Sequence, residues 1–211
     1  MIRQTSFKHG WFYHYRIHLK KTDDLCSNGL SSLKGFMHDM FEKCPHDKFE
    51  TGPRSSSLRF NLDIKPVLVK NHEVSELAKK GLEWNKYKTA HSNVQVFMLH
   101  NDQQTLAVEL PIWLKSNEIN NYNEFFDSEL PLTGHIDALR VEDGKIWIWD
   151  YKPKANKEKY ATTQTFFYAL MLSRRTGIDL DNFRCGYFDE NNAYIFKPEL
   201  KQLIDPQKRL T

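Results

Sequence analysis

Cysteine is scarce in this 211-residue chain. There are three, Cys26, Cys44 and Cys185, widely spaced and odd in number. No C-x-x-C pair occurs, which excludes a disulfide framework, a zinc ribbon and a four-cysteine iron–sulfur cluster. The thiols read as buried and free. Long apolar runs are also missing. No stretch approaches the ~18–20 residues that cross a bilayer, and residues 1–19 lack the charged-then-apolar order of a secretory signal. The expectation is a soluble, intracellular protein with no membrane partner. Neither sign of charge dominates: 30 Lys and Arg stand against 27 Asp and Glu, for a net +3. That balance permits a nucleic-acid partner and excludes a histone-like coat of charge. Repeats and linkers are absent too. With 40% hydrophobic residues, the chain has enough apolar material for one core, so wholesale disorder is excluded. One domain is expected over 1–211, with an N-terminal strand region (1–29), a core (30–197) and a peripheral tail (198–211).

What is present is periodic. Residues 11–19 alternate, with Trp11, Tyr13, Tyr15, Ile17 and Leu19 on one strand face and Phe12, His14, Arg16 and His18 on a basic, aromatic one. Ser31 or Ser32 is a candidate cap for a helix running to about Cys44, with Leu33, Phe36, Met37, Met40 and Phe41 as its stripe. Residues 45–63 form an expected loop. A second helix is expected over about 66–88, with Pro66 in its first turn. Strands are expected at 94–99 and 105–113, around an Asn101-Asp102 turn. Residues 114–131 are polar and long for a plain connection; they read as a mobile flap near a substrate groove or as a simple surface excursion. A hairpin (132–152), a helix (about 158–175) ended by Gly177 and two short strands (183–188 and 193–197) follow. This order predicts an α/β fold: a central mixed sheet of about four to five strands flanked by helices.

The hairpin carries the chemistry. A type I′ turn at Asp143-Gly144 needs positive φ at both positions, which these residues tolerate. Glu142 then faces Lys145, Val141 faces Ile146, Leu139 faces Ile148, and Asp137 faces Asp150. Opposed residues have Cβ atoms ~4.5–5.5 Å apart, and like charges there are destabilising. A bound divalent cation is the simplest compensation. Lys152 shares the face of Asp150, Ile146 and Ile148, while Trp147, Trp149 and Tyr151 point the other way. With both faces largely apolar, the strand should be central. Lys152 could orient an attacking water or stabilise charge on a phosphoryl group; the plainer role is to neutralise the two aspartates. Glu109 adds a third carboxylate on an otherwise apolar strand. His38 and Glu42 share a face of the first helix, as do Gln164 and Tyr168 on the later one. Lys154, Lys157 and Lys159 are candidate phosphate contacts.

The ordered set Glu109-Leu110-Pro111, Gly134-x-x-Asp137, Asp150-Tyr151-Lys152 and Gln164-x-x-x-Tyr168 resembles the PD-(D/E)XK nuclease superfamily. It most resembles the branch of RecB and AddB nuclease domains and the related CRISPR-associated and viral exonucleases. Gly35-Phe36-Met37-His38 resembles the helix that donates the family's histidine ligand, with one residue fewer in the spacing than that branch more often has. The resemblance implies a restriction-endonuclease-like core and a Mg²⁺ or Mn²⁺ cofactor; the cysteines leave no iron–sulfur cluster. It implies Asp137 and Asp150 as the main metal ligands, His38 as a further ligand and Glu109 at the early acidic position. The Tyr151 backbone carbonyl would complete the sphere. Lys152 corresponds to the catalytic lysine, and Gln164 and Tyr168 to residues that flank the site and touch DNA. The expected function is metal-dependent hydrolysis of DNA by an exonuclease acting on single-stranded or duplex ends. A structure-specific endonuclease, or an inactive nucleic-acid-binding protein on the same fold, are the alternatives.

Overall fold

The computed structural model describes residues 1–203; of the tail expected at 198–211, residues 204–211 lie outside the described residues. Two strands open the chain, β1 (Ile2–His9) and β2 (Trp11–His18). They fold back on each other at Gly10, whose φ of 80° reverses the backbone. The region 1–29 thus holds a hairpin, followed by the short helix α1 (Leu19–Leu25). Helix α2 (Ser31–Glu42) buries Leu33, Met37 and Met40; its N-cap is Leu30 and no side chain caps it, so Ser31 and Ser32 lie inside the helix.

Two expectations fail next. The helix expected over 66–88 is a strand, β3 (Val67–Lys70), followed by a helix, α3 (Glu73–Trp84). Pro66 precedes an edge strand, Asn71 turns the chain at φ 56°, and His72 Nδ1 accepts the Val74 N–H to start the helix. The strand expected at 94–99 lies inside helix α4 (Ala90–Asn101). Thr89 caps α4 by accepting the Ser92 N–H, and Asn93 bonds both the N–H and the C=O of Tyr87. Burial of Val94, Met98 and Leu99 against the sheet outweighs the β preference of the valines.

The remaining elements are β4 (Thr105–Leu114), α5 (Tyr122–Phe126), β5 (Leu132–Glu142), β6 (Lys145–Tyr151), α6 (Ala161–Thr176), β7 (Phe183–Phe188) and β8 (Asn192–Phe196). The segment expected as a flap is anchored: Phe125 and Phe126 pack on Phe167, and Tyr122 donates to the Leu130 carbonyl at 2.6 Å. Gly177 ends α6 at φ 72°.

The eight strands form one mixed sheet in the order β1-β2-β4-β5-β6-β7-β8-β3, more strands than expected but the same class. The β6–β7 pair is parallel, joined through α6, and the others are antiparallel. Helices α2 and α6 cover one face over Leu110, Ile112, Leu139 and Ile148. Helices α3 and α4 cover the other over Val108, Ala138 and Trp149. Among the described residues, no helix is long and apolar enough to cross a membrane.

One buried ion pair pins α4 to this sheet. Arg140 Nε donates to Asp102 Oδ2 at 2.8 Å, and Arg140 Nη2 donates to Glu73 and Gln104. Asp102 is the C-cap of α4. Lys21 Nζ donates to the carbonyls of Leu99 and Asp102, taking up acceptors that the helix end leaves open.

Candidate active site

Strands β5 and β6 run in the register expected from their turn. Asp143 and Gly144 take φ values of 49° and 69°, as a type I′ turn requires. Glu142 pairs with Lys145, Val141 with Ile146, Leu139 with Ile148 and Ala138 with Trp149. There the ladder stops. Asp137 Oδ2 accepts the Tyr151 N–H at 3.0 Å, so the aspartate reaches across to the residue beyond Asp150. The two aspartates close the end of the ladder and do not pair within it.

Glu109 arrives from β4 through a break in that strand. Val108 pairs with Ala138 and Leu110 with Ile136, which sets Glu109 across from Asp137. Glu109 has a φ of 55°, rare for a residue with a Cβ. Ala107 and Leu110, three apart, both join the core under α2 and α6. Strict alternation would put them on opposite faces, so the phase changes at Glu109. Gln95 Nε2 on α4 donates to Glu109 Oε1 at 2.7 Å.

Lysine and glutamine complete the acidic end. Lys152 Nζ lies 2.7 Å from Asp150 Oδ2, an ion pair at the buried end of that carboxylate. Gln164 Oε1 accepts from Lys152 Nζ at 3.0 Å, and Gln164 Nε2 donates to Asp150 Oδ1 at 3.1 Å and to the Tyr168 hydroxyl at 2.7 Å. Gly134 is required here, because a Cβ at that position would collide with the Tyr168 ring.

These groups share a cleft of roughly 230 Å³ lined by Glu109, Asp137, Asp150, Lys152, Gln164 and Tyr168, with Tyr13, Arg54, His91 and His135 also on its walls. His38 is not brought there. It sits on α2, and its Nε2 is buried with no hydrogen bond among the described residues. The imidazole beside the acids is His91, on the first turn of α4, with Nε2 4.0 Å from Asp137 Oδ2. Sequence reasoning missed His91 and Gln95 because it read their helix as a strand. The signal was present: Thr89 as a cap, then His91 and Gln95 four apart on one face.

The charged groups of the cleft oppose one another. Burial, then the Asp150 and Glu109 carboxylates, holds Asp137 well above the ordinary aspartate range. Burial raises Glu109 from 4.5 to about 7, against the Gln95 hydrogen bond and with help from Asp150. Burial disfavours the Lys152 ammonium, but Asp150 and Asp137 outweigh it and raise its pKa. Burial lowers His91, leaving a neutral nitrogen for ligation, although Asp150 works the other way. Crowded carboxylates of raised pKa with an imidazole beside them fit a divalent cation of Mg²⁺ or Mn²⁺ type.

A stability prediction follows. Between about pH 4.5 and 7 the folded chain retains a proton on Glu109 that the unfolded chain has released. Glu109 therefore contributes stability that is lost as pH rises through that window, on the order of 3 kcal/mol. Buried histidines such as His9, pulled down to about 4, contribute with the opposite sign, and Asp137 adds to the fall. The Glu109 part is therefore read as a difference: urea unfolding in chelator at about pH 5 and about pH 8 should show the wild type losing more stability, or gaining less, than Glu109→Gln. An identical pH dependence in the two proteins would reject Glu109 as a source.

An acidic cleft with an ammonium, at the strand ends of a helix-covered mixed sheet, defines a candidate metal-assisted hydrolase centre. A family model described as the PD-(D/E)XK nuclease superfamily matches residues 9–209, nearly the whole chain, and the protein belongs to that superfamily. Its nucleases act on nucleic acid and generally use divalent metals such as Mg²⁺. No curated protein and no solved structure gives a significant match.

Proposed function

We propose that the protein is a Mg²⁺- or Mn²⁺-dependent deoxyribonuclease, of the RecB and AddB kind, that hydrolyses phosphodiester bonds at DNA ends. One observation carries this reading: Glu109, Asp137 and Asp150 converge on a cleft that also holds the Lys152 ammonium. Asp137, Asp150, Glu109 and His91 would hold the ion, with the Tyr151 carbonyl as a further donor; His91 takes the part first expected of His38. When bound, the cation polarises the scissile phosphate and lowers the pKa of a water.

The chain's own groups supply the rest. Lys152 stays protonated and faces the site where negative charge builds on phosphoryl oxygens. Gln164 touches both Lys152 and Asp150, so it fixes the ammonium relative to the acid. Tyr168 accepts the remaining Gln164 hydrogen bond and backs that amide.

Substrate contact is proposed on two sides. Lys154, Lys157 and Lys159 are exposed just after β6. Neutralising them together should make the salt dependence of DNA binding shallower, and an unchanged slope would reject the contact. Trp11 and Phe12 are 79% and 70% exposed at the tip of the β1–β2 hairpin, next to Tyr13 of the cleft wall. Rings held in water beside a cleft suit stacking on unpaired bases, worth about 1–3 kcal/mol per base. Replacing both with alanine should weaken single-stranded DNA binding by on the order of tenfold or more, with a smaller effect on blunt duplex. Equal losses on the two substrates would argue against stacking.

The functional test is a panel of linear and circular DNA, labelled at the 5′ or the 3′ end, with Mg²⁺ or Mn²⁺. Shortening of linear substrate alone supports the end-acting reading. Nicked circles indicate an endonuclease. Binding without cleavage, by protein that takes up metal, indicates an inactive binding protein.

A further inference from the structure

A second group of ligating side chains lies outside the acidic cleft. His9 ends β1, and Cys44 and His46 follow α2. Their ligating nitrogens and sulfur all fall within 4.8 Å of one another. His9 Nε2 and His46 Nδ1 are 2.9 Å apart. A tetrahedral zinc ion, with bonds of about 2.0–2.1 Å to nitrogen and about 2.3 Å to sulfur, holds its ligand atoms roughly 3.3–3.6 Å apart. Side-chain shifts on the order of 1 Å would therefore bring these three atoms into its sphere.

The backbone prepares the set. Pro45 fixes φ between the two donors, and the His46 N–H donates to the Cys44 carbonyl at 2.9 Å, so thiol and imidazole leave the chain as a pair. His9 is buried, Cys44 nearly so and His46 exposed, which leaves one side open to water. On the far side, His9 Nδ1 is 2.9 Å from His135 Nε2. An ion on His9 Nε2 would set the tautomer in which Nδ1–H donates to His135, the outer-sphere bond that metal-ligating histidines characteristically make.

The geometry points to a zinc site formed by His9, Cys44 and His46, with its fourth position facing solvent. A thiolate with two imidazoles selects Zn²⁺ over the hard ions suited to the carboxylates. His9 is neutral at pH 7, because burial, His46 and Arg54 pull its pKa down to about 4. Burial, then Asp47, pushes the Cys44 thiol up to about 12 without an ion. Zinc reverses that preference, so binding releases a proton. The site would clamp the N-terminal hairpin to the loop after α2. Arg54, which donates to the His9 carbonyl and lines the cleft, belongs to the frame so held. None of this depends on the nuclease reading.

Co²⁺ reports tetrahedral thiolate ligation through a thiolate-to-metal charge-transfer band. The full chain carrying Asp150→Asn, which weakens the acidic site, is titrated with Co²⁺. One equivalent should raise the band, Zn²⁺ should displace the cobalt, and Cys44→Ser should abolish the signal while Cys26→Ser keeps it. His46→Ala should weaken cobalt affinity by at least about 10–100-fold, the loss that even an outer partner causes. No band in protein whose near-ultraviolet circular dichroism reports native packing would overturn the site. So would a band that survives Cys44→Ser, or unchanged affinity in His46→Ala.

Discussion

Lys152→Ala is expected to slow DNA cleavage by about 10²–10³-fold, the usual cost of removing one preorganised charge-stabilising donor. Metal affinity should stay the same or tighten. The ammonium is half-buried and lies 2.7 Å from the buried Asp150 Oδ2, so its loss removes a positive charge that competes with a cation for that oxygen. Asp150→Asn should instead lose both metal and cleavage, because it removes a charged ligand while Gln164 still has a partner at that position. Single-turnover cleavage with calorimetric Mn²⁺ titration separates the two patterns. If Lys152→Ala loses metal as completely as Asp150→Asn, the lysine acts through the ion site and not on the phosphate.

Arg140→Met should destabilise the fold by about 3–5 kcal/mol. The guanidinium is wholly buried, with Asp102 beside it 2% exposed. Removing the arginine leaves that carboxylate buried and short of its charge partner. The damage lies close to function, since Asp102 caps the helix that carries His91 and Gln95. Arg140→Met with Asp102→Leu should recover much of the loss, because no charge is then stranded. Urea unfolding of the two variants measures both numbers; an equal loss in the double variant would mean packing, and not charge, sets the cost.

The readable part of this site came from local chemistry. Asp143-Gly144 permits essentially one tight turn, so the register of β5 on β6 followed from two residues. Asp150 and Lys152 were then committed to one face by the two-residue repeat of a strand. Gln164 and Tyr168 followed from helical spacing. The unreadable part came from tertiary packing. Val94 looks like a strand residue, and the sheet face beneath α4, which it shares with Met98 and Leu99, makes it helical. His91 was hidden by that error, while His38 lies on a helix that packs its stripe over the opposite face. The phase change at Glu109 rests on a left-handed backbone at a glutamate, which residue preferences do not anticipate. Strand β1 escaped because it is mostly polar, with only Phe7 and His9 buried and no strong apolar stripe.

In the proposed function Glu109, Asp137, Asp150 and His91 would hold a cation beside Lys152. The most direct measurement is an anomalous difference map from crystals soaked in Mn²⁺. A peak bonded to Asp137 and Asp150 is expected, with His91 in reach and His38 not, and no peak there in Asp150→Asn crystals. A cleft without manganese in wild-type crystals, or a peak on His38 in place of His91, would contradict it.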